Sequence, residues 1–258
     1  MYLDSGKKSE CFGCEACVNV CPCDAICMRE DKEGFRYPII NAEKCVQCGF
    51  CRKVCPHFMK SIGEKDEENK YVFGGFNRDE NVRFNSTSGG AFSAIVDAYC
   101  DENYVIFGAA AEGLNVYHTY ITDKKDMGRF RKSKYSQSKM STTYRDVKEF
   151  LSSGKKVLFS GTPCQISGLK MYLENTKTDT TNLLTVEVVC EGVPSPLYMR
   201  KYEKSLEKKY GRKIESLDYR YTGKSCFNCG KWDFEAMKVD TKPGGEVGFS
   251  SYEDEISR

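Results

Sequence analysis

Histidine is nearly missing from this 258-residue chain. Only His57 and His118 occur, and neither stands in a spacing that pairs a nucleophile with a base, which argues against a histidine-based hydrolase. Net charge is also small: 39 basic residues face 37 acidic ones, so neither nucleic acid nor an anionic surface is indicated as the main partner. Long apolar runs are lacking too. The longest, Val105 to Ala111, is broken by Gly108 and reads as a buried strand and turn, far short of a membrane span. Met1 to Glu10 is polar, without the apolar core of a secretory signal, so a cytoplasmic location with reduced thiols is expected. No GxGxxG fingerprint follows any strand-like run, which leaves out the usual dinucleotide-binding signature.

Cysteine, by contrast, is abundant, with 15 residues. Eight fall into one spacing written twice: Cys11, Cys14, Cys17 and Cys21 before Pro22, then Cys45, Cys48, Cys51 and Cys55 before Pro56. Each copy reads C-x2-C-x2-C-x3-C-P, the run with which bacterial ferredoxins hold a 4Fe-4S cluster, the fourth cysteine ligating the other cluster. One cluster is therefore expected on Cys11, Cys14, Cys17 and Cys55, and a second on Cys45, Cys48, Cys51 and Cys21. Structural zinc sites use separated C-x2-C pairs, and a disulfide framework needs an oxidising compartment, so the spacing speaks against both.

The length suits a small module plus a domain of ordinary size. Residues 1–61 are expected to form a two-cluster α+β ferredoxin module, in which residues 34–40 between the cysteine runs read as a short hairpin covering the clusters. Cys23 and Cys27 are expected to pack beside the clusters, and Cys100 to be buried at a helix end. The charged residues 62–70 read as a solvated linker. Residues 71–258 alternate strand and helix patterns: strands over 71–76, 104–107, 155–160 and 183–189, the last a buried one, with helices around Phe92–Tyr99 and Tyr144–Leu151 and from about Cys164. This order predicts an α/β domain with a mixed, partly parallel sheet.

Three junction loops stand out there. Ser86-Thr87-Ser88-Gly89-Gly90 offers a capping hydroxyl and bare amides at a helix start, suited to a phosphate or to an ordinary N-cap. In Gly161-Thr162-Pro163-Cys164-Gln165, a capped helix start places Cys164 in the first turn. The dipole there lowers a thiol's pKa, although a simple capped helix reads the same. Cys190-Glu191-Gly192-Val193-Pro194-Ser195 lies at another strand end, where ligands gather in open α/β sheets.

With Ser133-Lys134-Tyr135-Ser136-Gln137-Ser138, these loops occur in an order that resembles the coenzyme F420 hydrogenase/dehydrogenase beta subunit family from about residue 71 to 222. The resemblance implies an FAD site built from Ser88, Gly89, Gly90, Lys134, Tyr135, Gln137, Gly161, Thr162, Pro163, Cys164 and Gln165. It also implies electron exchange between iron-sulfur centres and flavin, with a link to polysaccharide biosynthesis in bacterial members that carry a ferredoxin front end. Family members usually run on past residue 258, so the flavin domain is expected to be incomplete at its C-terminus. Ser225 to Cys229 departs from the family pattern; either it is a local insertion, or Cys226 and Cys229 join Cys164 and Cys190 in a third cluster. The expected function is an iron-sulfur flavoprotein oxidoreductase working with a redox partner protein or a small-molecule electron acceptor. The alternatives are a ferredoxin-type subunit that only relays electrons, and a cluster-bearing scaffold without turnover.

Overall fold

The computed structural model describes residues 1–58 and 71–214 in full, together with the backbone of three short strands beyond them. The expected linker, residues 62–70, and the cysteines Cys226 and Cys229 lie outside the described residues.

Residues 1–58 comprise α1 (Tyr2–Ser5), α2 (Ala16–Val20), β1 (Ile26–Glu30), β2 (Arg36–Ile40) and α3 (Phe50–Lys53). The hairpin between the cysteine runs spans β1 and β2, paired antiparallel from Ile26↔Ile40 to Glu30↔Arg36. Residues 34–40 are thus its turn and second strand and not a hairpin of their own. Asp31 closes the turn, its Oδ1 accepting the Glu33 and Phe35 amides at 2.9 and 3.0 Å.

The second part continues with α4 (Glu80–Phe84), α5 (Ala91–Tyr99), β3 (Tyr104–Glu112), β4 (Asn115–Ile121), α6 (Thr143–Ser152), β5 (Lys156–Gly161), α7 (Pro163–Asn175), β6 (Leu183–Glu187) and α8 (Pro196–Tyr210). The strands form one mixed sheet in the order β4-β3-β5-β6, in which β3, β5 and β6 run parallel and β4 pairs antiparallel with β3. The strands β7 (Ser216–Asp218), β8 (Lys238–Thr241) and β9 (Gly245–Val247) form a separate antiparallel sheet.

The period-2 alternation of strand side chains divides the core between the two faces of the mixed sheet. Val105, Phe107, Val157 and Phe159 point to one face and pack with Tyr144, Val147 and Leu151 of α6 and Leu169 and Leu173 of α7. Ile106 and Leu158 point to the other, against Val96, Ile121, Met127 and Phe130. Gly108 does not turn the chain; β3 runs through it, and the glycine makes room for the Phe130 ring, which a Cβ there would approach within 2.9 Å. Two further expectations are corrected. Residues 71–76 form no strand: among the described residues no strand pairs with them, and Tyr71, Val72 and Phe73 are exposed. The last strand ends at Glu187 and is only half-buried, as an edge strand with Val188 and Val189 exposed beyond it.

The face covered by α6 and α7 also receives the cysteine module. Cys14, Ala16, Val20 and Val54 join the same apolar core as Phe107, Tyr144 and Leu169, so the two parts share one interior.

Candidate functional site

The two cysteine runs adopt the same backbone. Residues 13 and 47, two after the first cysteine of each run, take left-handed φ values of 67° and 52°, and residues 15 and 49 take 59° and 72°. Each second left-handed residue caps a helix, Glu15 before α2 and Gly49 before α3. At the end of each helix the fourth cysteine donates its amide three residues back, Cys21 to Val18 at 3.3 Å and Cys55 to Arg52 at 3.4 Å. Left-handed residues on either side of the second cysteine curl the chain in each run, and in the first run Cys11, Cys14 and Cys17 line one cavity. Glycine adopts that conformation without cost, whereas Glu15 and Gln47 do so against about 1–2 kcal/mol each. Glu15 is held there by Arg36, 2.8 Å from its carboxylate, and by the Ser141 amide at 3.3 Å.

A cavity of about 400 Å³, open solvent at its mouth included, is lined by Cys11, Cys14, Cys17 and Cys55 with Phe12, Met28 and Pro38. These are the four cysteines assigned to the first cluster, drawn from both runs, a donor set of the kind a 4Fe-4S cluster takes. Burial pushes the Cys11, Cys14, Cys17 and Cys55 thiols up, which leaves them protonated and inert unless a bound metal takes the thiolate. Burial pushes the Cys51 thiol up, and Cys48, Cys21 and Cys45, the rest of the second set, are close enough to push it further. Cys23 lies beside the second set, its sulfur 3.8 Å from Cys21 Sγ, as expected. Cys27 does not pack there; its strand position faces outward and it is exposed. Cys100 is buried at the end of α5, as expected.

The first run faces the second part of the chain. The buried Tyr144 hydroxyl lies 3.0 Å from the Cys14 carbonyl and 2.9 Å from the Gln165 carbonyl, sharing one proton between the two modules. Gly168 lets α7 approach closely, for a Cβ there would stand 3.2 Å from Ala16 Cβ, Cys14 Sγ and the Tyr144 hydroxyl. Gln137 Nε2 donates to the Phe12 carbonyl at 3.2 Å, directly over Gly13, where no Cβ would fit. Arg145 donates to the Asn19 carbonyl at 2.8 Å and to Asp24 at 2.7 Å. Tyr144 and Arg145 were hidden in a helical stripe, but an interior helix glycine such as Gly168 is a readable mark of close approach.

The expected cofactor loops also meet. Ser133 Oγ reaches Thr87 Oγ1 at 3.4 Å and Arg131 Nε reaches Ser93 Oγ at 3.3 Å, tying residues 131–137 to the glycine loop. Ser88, Gly89 and Gly90 are all left-handed, so no hydroxyl caps α5; Gly90 itself is the N-cap. Lys134 donates to the Arg131 carbonyl at 2.8 Å, and burial holds its amine down at about 8. Tyr135 is half-exposed on the same loop. In the third loop Pro163 opens α7, Gln165 Oε1 accepts the Thr162 amide at 2.9 Å, and the Gly161 carbonyl accepts the Val188 amide at 2.9 Å.

Cys164 sits in the first turn of α7, 3.3 Å from Thr162 Oγ1 and 3.8 Å from the Phe12 carbonyl. Its thiol is raised and not lowered, because burial outweighs the helix dipole. Cys190 is exposed, yet close enough to Cys164 to add to the rise of its thiol.

Behind these loops lies a buried polar chain. His118 Nδ1 is 2.8 Å from Ser138 Oγ, its Nε2 is 3.0 Å from the Ser160 carbonyl, and Gln165 Nε2 donates to Ser138 Oγ at 2.8 Å. A carbonyl only accepts, so Nε2 carries the ring proton and Nδ1 accepts from Ser138. Burial pushes His118 down to about 4, which keeps it neutral.

Comparison with known proteins agrees with the resemblance drawn from the motifs. Residues 10–59 match the 4Fe-4S dicluster domain, and residues 154–252 match the family model for the C terminus of the coenzyme F420 hydrogenase/dehydrogenase beta chain. A polyferredoxin-like protein of Methanocaldococcus jannaschii is 43% identical over 75 residues, which cover 24% of this chain and 45% of that protein. One component of the Na(+)-translocating ferredoxin:NAD(+) oxidoreductase complex of Acetobacterium woodii is 36% identical over 63 residues, 24% of this chain and 18% of that protein. The chain thus spans less than half the length of either curated relative. A chain of the F420-reducing [NiFe] hydrogenase complex from Methanosarcina barkeri aligns at 15% identity with a TM-score of 0.44, covering 68% of this chain and 58% of that one. Among the described residues no helix is long and apolar enough to cross a membrane.

Proposed function

From a chain that joins a 4Fe-4S dicluster domain to a region of the coenzyme F420 hydrogenase/dehydrogenase beta subunit type, we propose an iron-sulfur flavoprotein that carries electrons between two 4Fe-4S clusters and a flavin. Cys11, Cys14, Cys17 and Cys55 hold one cluster, and Cys45, Cys48, Cys51 and Cys21 the other. The flavin, FAD, seats against residues 88–90, 134–137 and 161–165. When bound, the clusters supply single electrons and the flavin converts them into two-electron chemistry.

The observation that carries this reading is the contact between the Cys11–Cys17 loop and the loop that opens α7. Gln137 and Cys164, both assigned to the cofactor loops, reach the Phe12 carbonyl, and Tyr144 ties Cys14 to Gln165. A cluster on that run would lie against the loops that would face the flavin, beside the core that the two parts share. The chain's own residues act by placement: Lys134 holds residues 131–134 closed through their carbonyls.

Anaerobically purified full-length protein should contain about eight iron and eight sulfide per chain, with close to one FAD. Iron and sulfide without flavin, even after incubation with FAD, would leave a relay subunit as the function. About twelve iron would add a cluster involving Cys164 and Cys190. Zinc without labile sulfide would end the reading altogether.

A further inference from the structure

The two cysteine runs share spacing and backbone but not surroundings. In the first, Gly13, Cys14, Glu15 and Ala16 are buried against α6 and α7. In the second, every residue from Asn41 to Lys53 except Cys45 and Cys51 is exposed, Cys48 included. One centre thus looks into the molecule and the other out of it.

The outward face has a distinct chemistry. Val46 is 66% exposed and Phe50 36%, an apolar centre on the tip of the loop. Around it stand Lys44, Arg52 and Lys53, against Glu43 as the only carboxylate of residues 41–53. Lys53 Nζ lies 5.5 Å over the Phe50 ring, so its charge borders the apolar centre. Arg52 lies 3.4 Å from Asp4 and 4.9 Å over the Phe58 ring, and Lys44 is close enough to hold the Asp24 carboxyl below its usual range after Arg145 has done so. Residues 10–21 of the inner run carry two carboxylates and no cation of their own, and the cations that reach them, Arg36 on Glu15 and Arg145 on the carbonyls of residues 18, 19 and 21, come from other elements.

We infer that the Cys45–Lys53 loop is the docking face for a small, acidic electron-carrier protein, and that electrons cross the molecule between this face and the inner run. The inference rests on the two-cluster reading above. Electron transfer falls steeply with distance, so a carrier must touch the exposed run to use it. An apolar centre ringed by cations is what an acidic partner recognises in a fast, transient encounter. One electron passes per encounter, oxidising the carrier and reducing the outer centre or the reverse, with no bond made or broken.

The test uses anaerobic full-length protein whose iron and sulfide have been measured on the same preparation. Stopped-flow mixing with a reduced acidic flavodoxin, followed at the flavodoxin's own absorbance, should give a second-order rate constant that falls steadily as salt rises. Oxidised cytochrome c, a basic acceptor, should show no such fall when mixed with the reduced protein. Lys44→Glu with Lys53→Glu should slow flavodoxin at least roughly tenfold at low salt, with the difference vanishing near 1 M salt, whereas Lys125→Glu with Arg129→Glu should leave it unchanged. Should the charge reversal disturb the neighbouring cysteines, the salt series on the unaltered protein still decides. A flavodoxin rate indifferent to salt, or equal in both double variants, in protein holding about eight iron would overturn the docking face alone. Protein without iron would overturn it together with the two-cluster reading.

Discussion

His118 carries the sharpest consequence among single residues. It is one of two histidines, buried and neutral, with both ring nitrogens satisfied by Ser138 and Ser160. Protonating Nδ1 would set a donor against the Ser138 hydroxyl, whose proton then loses its buried acceptor, while the Ser138 oxygen goes on accepting from Gln165, whose other end fixes the Thr162 amide. The folded-state pKa, about 4, lies below the ordinary value of 6.5, so between those two values the unfolded state binds more protons and stability falls as pH falls. Above pH 6.5 the contribution is fully present. Crossing the whole window costs about 3 kcal/mol. Urea midpoints measured from pH 7 to pH 4 should fall more steeply for the unaltered protein than for His118→Gln. Parallel curves would show that His118 does not titrate as described.

At the scale of elements, the least replaceable contact is that between α7 and the first cysteine loop. Gly168→Ala places a methyl 3.2 Å from three atoms at once, two of them in or beside the loop that holds Cys14. Overpacking of this kind costs about 1–3 kcal/mol. Because the strain falls on the seam, the variant should show faster proteolysis between the two parts with little loss of far-ultraviolet circular dichroism. A resistant seam would mean that the loop shifts freely.

The same element marks how far local pattern reaches. Helical spacing at Phe92–Tyr99 and Tyr144–Leu151 predicted α5 and α6 nearly to the residue, and the Thr-Pro signal predicted the start of α7 but not its end. Residues 71–76 have strand composition but no strand, because pairing depends on a neighbour that no local pattern reports. The half-buried edge position of β6 was hidden for the same reason, its Leu183–Val186 run reading like a central strand. Nor did spacing reveal that Tyr144, read as a core residue, would spend its hydroxyl on the Cys14 and Gln165 carbonyls. The first-turn position of Cys164 was legible, whereas the burial that raises its thiol depends on the other module.

Across the whole molecule, the doubled cysteine run was legible at once, because its ligands are close in sequence and the spacing itself is the chemistry. What the sequence could only propose is which four thiols share a cluster. The matched left-handed residues at 13 and 47 and at 15 and 49 make the two runs near copies, and the cavity lined by Cys11, Cys14 and Cys17 is completed by Cys55 from the other copy. Substitutions should therefore combine by cluster and not by proximity in sequence. Cys11→Ser with Cys55→Ser should disable one cluster and leave about four iron and a single 4Fe-4S signal in low-temperature EPR of the reduced protein. Cys11→Ser with Cys21→Ser should damage both, although the two residues belong to one run. The reverse pattern, in which the Cys11 and Cys21 pair spares an intact cluster while the Cys11 and Cys55 pair loses both, would assign each run its own cluster. It would also break the path from the exposed second run to α7, since Cys55 would then no longer link the outward loop to the inner centre.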